Sequence, residues 1–280
     1  MLLGYNTNGL AHHAPADAIR LLAEIGYRSV ALTIDHGLLS PRDPNWAEQA
    51  KSLRALLTGA RMRSVIETGA RYLLDYREKH EPTLVSADPA ARAARVRFLR
   101  HAIDVAAALD SDCVSFWSGA VKDGAAGRPA DQEVWERLTI GVREVLDYAA
   151  QRQVNLGFEP EPGMFIDTMD RYQELLNRID APQFLLTLDI GHLHCLGETP
   201  LAAQIDRWNA RIVNVHLEDM RRGVHEHLPF GEGEIEFAPV LSALRRGNYR
   251  GGIHVELSRH SHLGPAAARQ AFEFLRPLVV

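Results

Sequence analysis

Four residues of metal-binding type each follow a short apolar run in the second half of the chain. They are three carboxylates and one imidazole: Glu159, Asp189, His216 and Glu256. Three carboxylates at one place would repel one another, and their pKa values would rise unless a cation neutralised them. One imidazole with three carboxylates suits Mn²⁺, Mg²⁺, Co²⁺ or Zn²⁺, and the absence of thiolates argues against a structural zinc site. We therefore predict one divalent metal ion bound by these four side chains.

Each of the four residues, taken alone, has a simpler interpretation. Asp189 is well placed to cap a following helix, and any of the carboxylates is able to serve as an ion-pair partner. Glu161 lies two residues beyond Glu159 and competes with it for the same role. We prefer Glu159 because it ends the apolar run directly. The repetition at four successive segments favours a shared site over four unrelated caps.

The apolar runs predict strands that alternate with helices along the whole chain. The run Phe184–Leu188 has no charge and reads as a strand buried on both faces, which is typical of parallel sheets. Eight such alternations predict an α/β fold, a (β/α)8 TIM barrel, as a single domain over residues 1–280. The rival doubly wound sheet lacks support because Asn6–His12 has no glycine fingerprint. The predicted strands are Leu2–Asn6, Ser29–Ile34, Arg63–Glu67, Asp112–Trp117, Asn155–Glu159, Phe184–Asp189, Arg211–His216 and Gly252–Glu256.

In such a barrel the carboxyl ends of the strands carry the chemistry, and the loops that follow them set specificity. The loops expected to do so are Thr68–Ala87, Gly119–Gly127 and Met220–Gly233. The first is long and rich in aromatic and charged residues, which favours an ordered lid. No phosphate-cradling glycine loop lies at these ends, and this favours an unphosphorylated ligand.

Composition excludes several classes of protein. The formal net charge is −5 and no Lys/Arg-rich run occurs, which argues against a nucleic-acid partner. No apolar stretch approaches the ~18 residues of a membrane span, and the N-terminus lacks a signal peptide. Two cysteines fit a reducing compartment. We expect a soluble cytoplasmic protein that does not bind membranes; a homo-oligomer is compatible with the sequence.

The motifs around these residues resemble the xylose-isomerase-like barrel superfamily, which holds sugar and sugar-phosphate isomerases and epimerases and also endonuclease IV. The matching segments keep the family order: Phe158–Pro160, Leu188–His192, Val215–Asp219, Gly231–Ile235 and Val255–Glu256. The resemblance implies that Glu159, Asp189, His216 and Glu256 bind one divalent metal. It also implies that Glu159 and Glu256 are the catalytic acid/base pair on opposite faces of the substrate.

The implied chemistry is an isomerisation or epimerisation of a sugar, keto-sugar or related polyol. A metal that polarises a carbonyl eases removal of the neighbouring proton, and two carboxylates are able to remove and return it with inversion. Three alternatives remain: a metal-dependent lyase or dehydratase, an endonuclease IV-like repair enzyme, and a non-catalytic barrel subunit. The repair enzymes need histidines from early strands, where this chain offers Glu67 and Trp117.

Five further residues are candidates for substrate binding. His192 lies three residues past Asp189, and the resemblance supports a contact with a substrate hydroxyl. Trp117 offers an apolar wall for a sugar face, or packs in the core. Glu67 and Arg71 either pair with each other or bind substrate. His225 lies in the loop after the seventh strand beside His227, where a second metal or simple solvation is the alternative.

Overall fold

A closed barrel of eight parallel strands forms the centre of the protein. The computed structural model describes residues 1–123 and 127–279. The barrel strands are β1 (Leu2–Asn6), β2 (Ser29–Thr33), β3 (Arg63–Glu67), β4 (Val114–Phe116), β5 (Leu156–Phe158), β6 (Phe184–Asp189), β7 (Ile212–Leu217) and β10 (Gly252–Val255). They run around the barrel in the order β1-β10-β7-β6-β5-β4-β3-β2, which confirms the predicted barrel and shows that the doubly wound alternative is wrong.

The helices surround the barrel and cover its outer face. In α3 the side chain of Asp88 accepts a hydrogen bond from the backbone N–H of Ala90 at 3.0 Å, and Pro89 occupies the first helical position. The buried face of α3 includes the predicted Val96, Leu99, Ile103 and Ala106. The helices are α1 (Pro15–Ile25), α2 (Trp46–Ala60), α3 (Pro89–Leu109), α4 (Asp131–Arg152), α5 (Met169–Ile179), α6 (Ile190–Cys195), α7 (Leu201–Trp208), α8 (Phe237–Arg246) and α9 (Gly264–Val279).

A helix directly follows β6, as the capping interpretation of Asp189 predicts, and a hairpin takes the place of part of the loop expected after β7. The residues after Asp189 form α6, and Asp189 Oδ1 caps it by accepting a hydrogen bond from the backbone N–H of His192 at 2.8 Å. The polar segment after β7 contains an antiparallel hairpin, β8 (Asp219–Arg221) and β9 (Val224–Leu228). Its strands carry charged and imidazole side chains, so the alternation of apolar residues that signals a strand is missing. Of the predicted loop Gly119–Gly127, residues 124–126 lie outside the described part of the chain.

The buried carboxylate of Asp219 holds the segment after the hairpin in place. It accepts hydrogen bonds from the backbone N–H groups of Met220, Gly231, Gly233 and Ile235 at 2.9–3.0 Å. A Cβ at Gly233 would lie 2.3 Å from Asp219 Oδ1, so only glycine allows the backbone this close. Gly231 has a φ of +91°, a conformation that L side chains rarely adopt. Both glycines therefore shape this loop.

Over residues 1–123 and 127–279, no helix combines the length and the apolar character that crossing a bilayer would require.

We expect Asp219→Ala to lower the free energy of unfolding by about 3 kcal/mol, because it leaves buried backbone donors without their charged acceptor. Asp219→Asn keeps one acceptor oxygen and should lose less. Asp206 pairs with Arg246 between half-exposed side chains, so Asp206→Ala is a control that should stay within about 0.5 kcal/mol of wild type. Urea denaturation measures all three, and an Asp219→Ala value equal to that of the control would refute the role.

Candidate metal centre and substrate pocket

The four predicted ligands meet at the carboxyl end of the barrel. Glu159 directly follows β5, and Asp189 is the last residue of β6. His216 is the next-to-last residue of β7, and Glu256 directly follows β10. One ligand atom from each residue lies within 4.8 Å of the others. Glu159, rather than Glu161, belongs to this cluster, while Glu161 lines the pocket beside it.

Nδ1 of His216 lies at the centre of the cluster. It is 3.0 Å from Glu159 Oε1, 3.0 Å from Glu256 Oε2 and 3.8 Å from Asp189 Oδ2. Donor atoms bound tetrahedrally at ~2.1 Å from an ion would lie about 3.4 Å apart. The observed separations bracket that value, so the side chains need only small shifts to surround one ion.

The pKa values differ among the members of the cluster. Against the effect of burial, nearby histidines leave the pKa values of Asp189 and Glu256 below their usual range, so the predicted rise holds for Glu159 alone of the three carboxylates. Burial raises the pKa of Glu159 to about 8, against the lowering effect of His216. Burial acts to lower the pKa of His216, but Glu159, Glu67 and Glu256 outweigh it and leave that pKa well above its usual value. These side chains therefore favour a positive charge at Nδ1 of His216. A divalent cation there would take the place of the proton.

Asp189 offers a direct test of whether the donor set fits a metal. Its side chain is buried, and its Oδ1 caps α6, yet its Oδ2 has no hydrogen-bond partner. An unpartnered buried carboxylate oxygen is costly unless something binds it. This oxygen faces the imidazole and the other carboxylates, so the chemistry of the donor set fits a divalent cation. Asp189 thus combines the helix cap with the predicted ligand position.

Glu67 contacts the other nitrogen of His216. His216 Nε2–H donates to Glu67 Oε1 at 2.9 Å, and Asn214 Nδ2 donates to the same oxygen at 3.1 Å. A carboxylate on the far nitrogen of an imidazole ligand fixes its tautomer and its orientation. Glu67 therefore presents Nδ1 of His216 to the cluster. The sequence left two alternatives for Glu67 and Arg71, an ion pair or substrate binding. The ion pair is absent among the described residues.

The support for Glu67 extends through the barrel interior. His254 Nδ1 donates to Asn214 Oδ1 at 2.8 Å, and Ser29 Oγ donates to His254 Nε2 at 2.8 Å. All of these side chains are buried. Burial lowers the pKa of His254 to about 3, which keeps it neutral. The chain of hydrogen bonds therefore links Ser29, near the opposite end of the barrel, to the metal cluster.

A pocket of about 180 Å³ opens above the cluster. The predicted substrate residues Trp117, Glu67, Arg71, His192 and His225 all line it. Their contacts with substrate remain predictions.

The Trp117 ring packs against two neighbouring side chains. It makes a T-shaped contact with His80, with ring centres 5.5 Å apart, and the buried guanidinium of Arg95 lies over the ring at 4.4 Å from its centre. The Nδ1–H of His80 donates to the carbonyl oxygen of Gly69. Burial lowers the pKa of His80 to about 4. Trp117 and a neutral His80 therefore form one side of the pocket.

His192 and the hairpin histidines form the opposite side. His192 Nδ1–H donates to the carbonyl oxygen of Pro160 at 3.2 Å, and His225 Nε2–H donates to His192 Nε2 at 3.1 Å. His227 Nδ1–H donates to the carbonyl oxygen of Glu256 at 3.0 Å. One nitrogen from each of the three rings lies within 4.8 Å of the others, a spacing that would also permit a cation. The hairpin thus brings His225 and His227 against the site.

Several residues of the site were missed in the sequence. Asn8 lies two residues past β1 and donates from Nδ2 to Glu256 Oε1 at 2.7 Å. Its signal in the sequence is a polar residue just beyond the first strand, the same signal that marks the ends of the later strands. Asn214 and His254 lie inside strands, where a polar residue within an apolar run is the signal. Lys79, His80, Ser258 and Arg259 line the pocket from loops that carry no recognisable motif.

The chain belongs to the xylose isomerase-like TIM barrel family, whose model matches residues 19–278. Among curated proteins it is similar to L-ribulose-5-phosphate 3-epimerase UlaE of Shigella flexneri serotype 5b. The two are 24% identical over 252 residues, which cover 90% of this chain and 84% of the relative. The same enzyme from Salmonella paratyphi A is 25% identical over the same coverage.

Solved structures share the fold. D-allulose 3-epimerase from Methylomonas sp. superposes with a TM-score of 0.75 at 21% identity, covering 99% of this chain and 98% of that one. The structure of L-ribulose 3-epimerase gives 0.77 at 18% identity, covering 99% and 94%. The IOLI protein with a binding zinc atom gives 0.80 at 15% identity, covering 100% and 98%.

We expect Asp189→Ala or His216→Ala to weaken Mn²⁺ binding at least about 100-fold, more than the loss of an outer contact to a ligand costs. His225→Ala and His227→Ala should each cost less than about tenfold, because these rings lie outside the four-residue cluster. Calorimetric titration of chelator-treated proteins measures the four affinities. Larger losses in the hairpin variants would show that the ligand set is wrong.

Replacing Glu67 tests the support of His216. Glu67→Leu removes the acceptor for Nε2–H and should weaken Mn²⁺ binding by about 10- to 100-fold. Glu67→Gln keeps an oxygen acceptor and should retain most of the affinity. Circular dichroism of the metal-free proteins checks that both variants are folded. If folded Glu67→Leu binds Mn²⁺ as tightly as wild type, Glu67 does not position the ligand.

Proposed function

We propose that the protein is a divalent-metal-dependent epimerase that acts on a ketose by moving a proton on the carbon next to the carbonyl. One observation carries the proposal: Glu159 and Glu256 approach the same imidazole nitrogen, each at 3.0 Å, from different strands. Two carboxyl groups beside one bound carbonyl are what removal and return of a proton on opposite faces requires. The curated relatives and several structural neighbours, named as sugar 3-epimerases, support this reaction.

The metal ligands proposed for this centre are Glu159, Asp189, His216 and Glu256. A divalent ion held by them would polarise the substrate carbonyl and so acidify the neighbouring C–H bond. The mixture of carboxylates with one imidazole suits Mn²⁺, and we propose Mn²⁺ as the first ion to test. Asp189 and His216 hold the ion without taking part in proton transfer. The two glutamates do both.

The two glutamates differ in how readily they hold a proton. Burial raises the pKa of Glu159 to about 8. Burial also acts to raise the pKa of Glu256, but His216, His227 and the hydrogen bond from Asn8 leave it below its usual range. The two glutamates are therefore unequal in the metal-free site, and a bound divalent cation would lower the pKa of both.

The remaining pocket residues would hold the sugar. His192 is neutral, because burial lowers its pKa to about 4. To bind a hydroxyl near the reacting carbon, His192 would exchange the hydrogen bond that its Nε2 accepts from His225 for one from the substrate. Trp117 would pack against an apolar face of the sugar. Arg71 and His225 would contact the more distant hydroxyls.

Solvent exchange tests the acid/base pair. During turnover in deuterium oxide, wild-type protein should incorporate deuterium into a ketose at one carbon, observed by NMR. Glu159→Gln and Glu256→Gln keep the shape and one possible ligand oxygen but lose the base. Each should slow exchange by about 10²–10⁴-fold even where Mn²⁺ remains bound.

Two outcomes would contradict this mechanism. If a glutamine variant retains the metal and exchanges at the wild-type rate, the glutamate that it replaces is not the base. A product that has lost water, detected by mass spectrometry, would instead identify a dehydratase. Lys51→Gln, on the exposed surface of α2, is the matched control and should exchange as wild type does.

A further inference from the structure

The pocket is acidic at its floor and basic at its rim. The carboxylates that line it are Glu67, Glu159, Glu161 and Glu256, which end β3 or lie within three residues after β5 or β10. The cations that line it are Arg71 and Lys79, from the loop after β3, and Arg259, from the loop after β10. Lys79 and Arg259 are exposed, whereas the carboxylates are buried or half-buried, so the positive charge lies toward solvent. The separation of charge therefore indicates a ligand that is itself asymmetric.

Lys79 is not neutralised by the loop that carries it. The two acidic residues beside it, Glu78 and Glu81, both pair with Lys122, whose Nζ lies 2.6 and 3.1 Å from their oxygens. Lys79 has no ion-pair partner in the described part of the chain. Both of these carboxylates therefore pair with Lys122, which does not line the pocket, and the charge of Lys79 at the rim is not neutralised by them.

The two arginines of the rim are also available. Arg71 donates from Nη2 to the carbonyl oxygen of Asn8 at 3.1 Å, which fixes the guanidinium without cancelling its charge. Arg259 lies 3.6 Å from Glu226, and the two side chains are 64% and 42% exposed. An exposed pair at that distance contributes little and is easily exchanged for a stronger anion. Ser258 adds a hydroxyl to the same wall.

We propose that Arg71, Lys79 and Arg259 bind a phosphate monoester at the end of the ketose remote from the metal. This inference rests on the proposed epimerase function and narrows its substrate to a ketose phosphate. A phosphate dianion has three acceptor oxygens, which suits two guanidinium groups and an ammonium group. In barrels of this kind the loops after the last strands frequently contribute to phosphate sites, and Arg259 follows the last barrel strand.

A phosphate bound at this rim differs from the unphosphorylated ligand that the sequence favours. That expectation depended on the absence of a glycine-rich loop, which binds phosphate through backbone N–H groups. Here side chains supply the positive charge instead. Because they come from loops about 180 residues apart in the sequence (from Lys79 to Arg259), no local motif could reveal them.

The test compares one ketose with and without its phosphate. We expect wild-type protein to use L-ribulose 5-phosphate with a kcat/KM at least about 100-fold above that for L-ribulose. Lys79→Gln and Arg259→Gln should each reduce the ratio of the two kcat/KM values by about 10- to 100-fold, the usual loss for a charge-assisted hydrogen bond. Lys51→Gln removes a lysine charge remote from the pocket and should leave the ratio unchanged.

Inorganic phosphate provides a second readout that does not depend on turnover. It should bind saturably to the Mn²⁺-loaded protein in a calorimetric titration, and about tenfold more weakly to Lys79→Gln or Arg259→Gln. The second variant guards against misfolding of the first.

The outcomes separate this inference from the proposed function. If L-ribulose is used as well as its phosphate, the basic rim does not select phosphate, while the epimerase function stands. If neither ketose exchanges its proton, the epimerase function is wrong for these sugars, and the phosphate titration decides about the rim. Phosphate binding that the rim variants leave unchanged would overturn the inference.

Discussion

Three carboxylates around a single imidazole nitrogen repel one another, and this repulsion governs the carboxyl end of the barrel. Glu159, Asp189 and Glu256 come from three different strands, so the closed barrel forces them together whatever their charges. Burial removes the water that would otherwise screen them. Burial raises the pKa of Glu159 to about 8, and the surrounding carboxylates hold that of His216 well above its usual value, whereas the pKa values of Asp189 and Glu256 lie below theirs. A divalent cation bound by these side chains would compensate their negative charge.

The interior of the barrel contains buried polar side chains that support this arrangement. Asn214 and His254 occupy places where apolar side chains would pack. Each finds its hydrogen-bond partners, from Ser29 at one end to Glu67 and His216 at the other. A satisfied buried network is rigid, and a partly satisfied one is costly. The orientation of the metal ligand is therefore built into the core rather than left to a loop.

The sequence revealed the barrel and the four side chains that meet at its carboxyl end, because both depend on local patterns. Each of Glu159, Asp189, His216 and Glu256 follows an apolar run, and the parallel barrel places the ends of such runs together. The hairpin after β7 could not be predicted because its side chains do not alternate between polar and apolar. The contact between Glu67 and His216 could not be predicted because the two residues are 149 positions apart in the sequence. The rim cations lie on loops, whose course depends on tertiary contacts such as those of Lys122.

Anomalous diffraction from crystals grown with Mn²⁺ would test the central claim most directly. We expect one strong peak per chain at the carboxyl end of the barrel. It should lie about 2.0–2.4 Å from Nδ1 of His216 and from oxygens of Glu159, Asp189 and Glu256, and Glu67 should remain on Nε2 of the same imidazole. Full occupancy at a position that these four side chains do not reach, or no ordered Mn²⁺ at millimolar supply, would contradict the account.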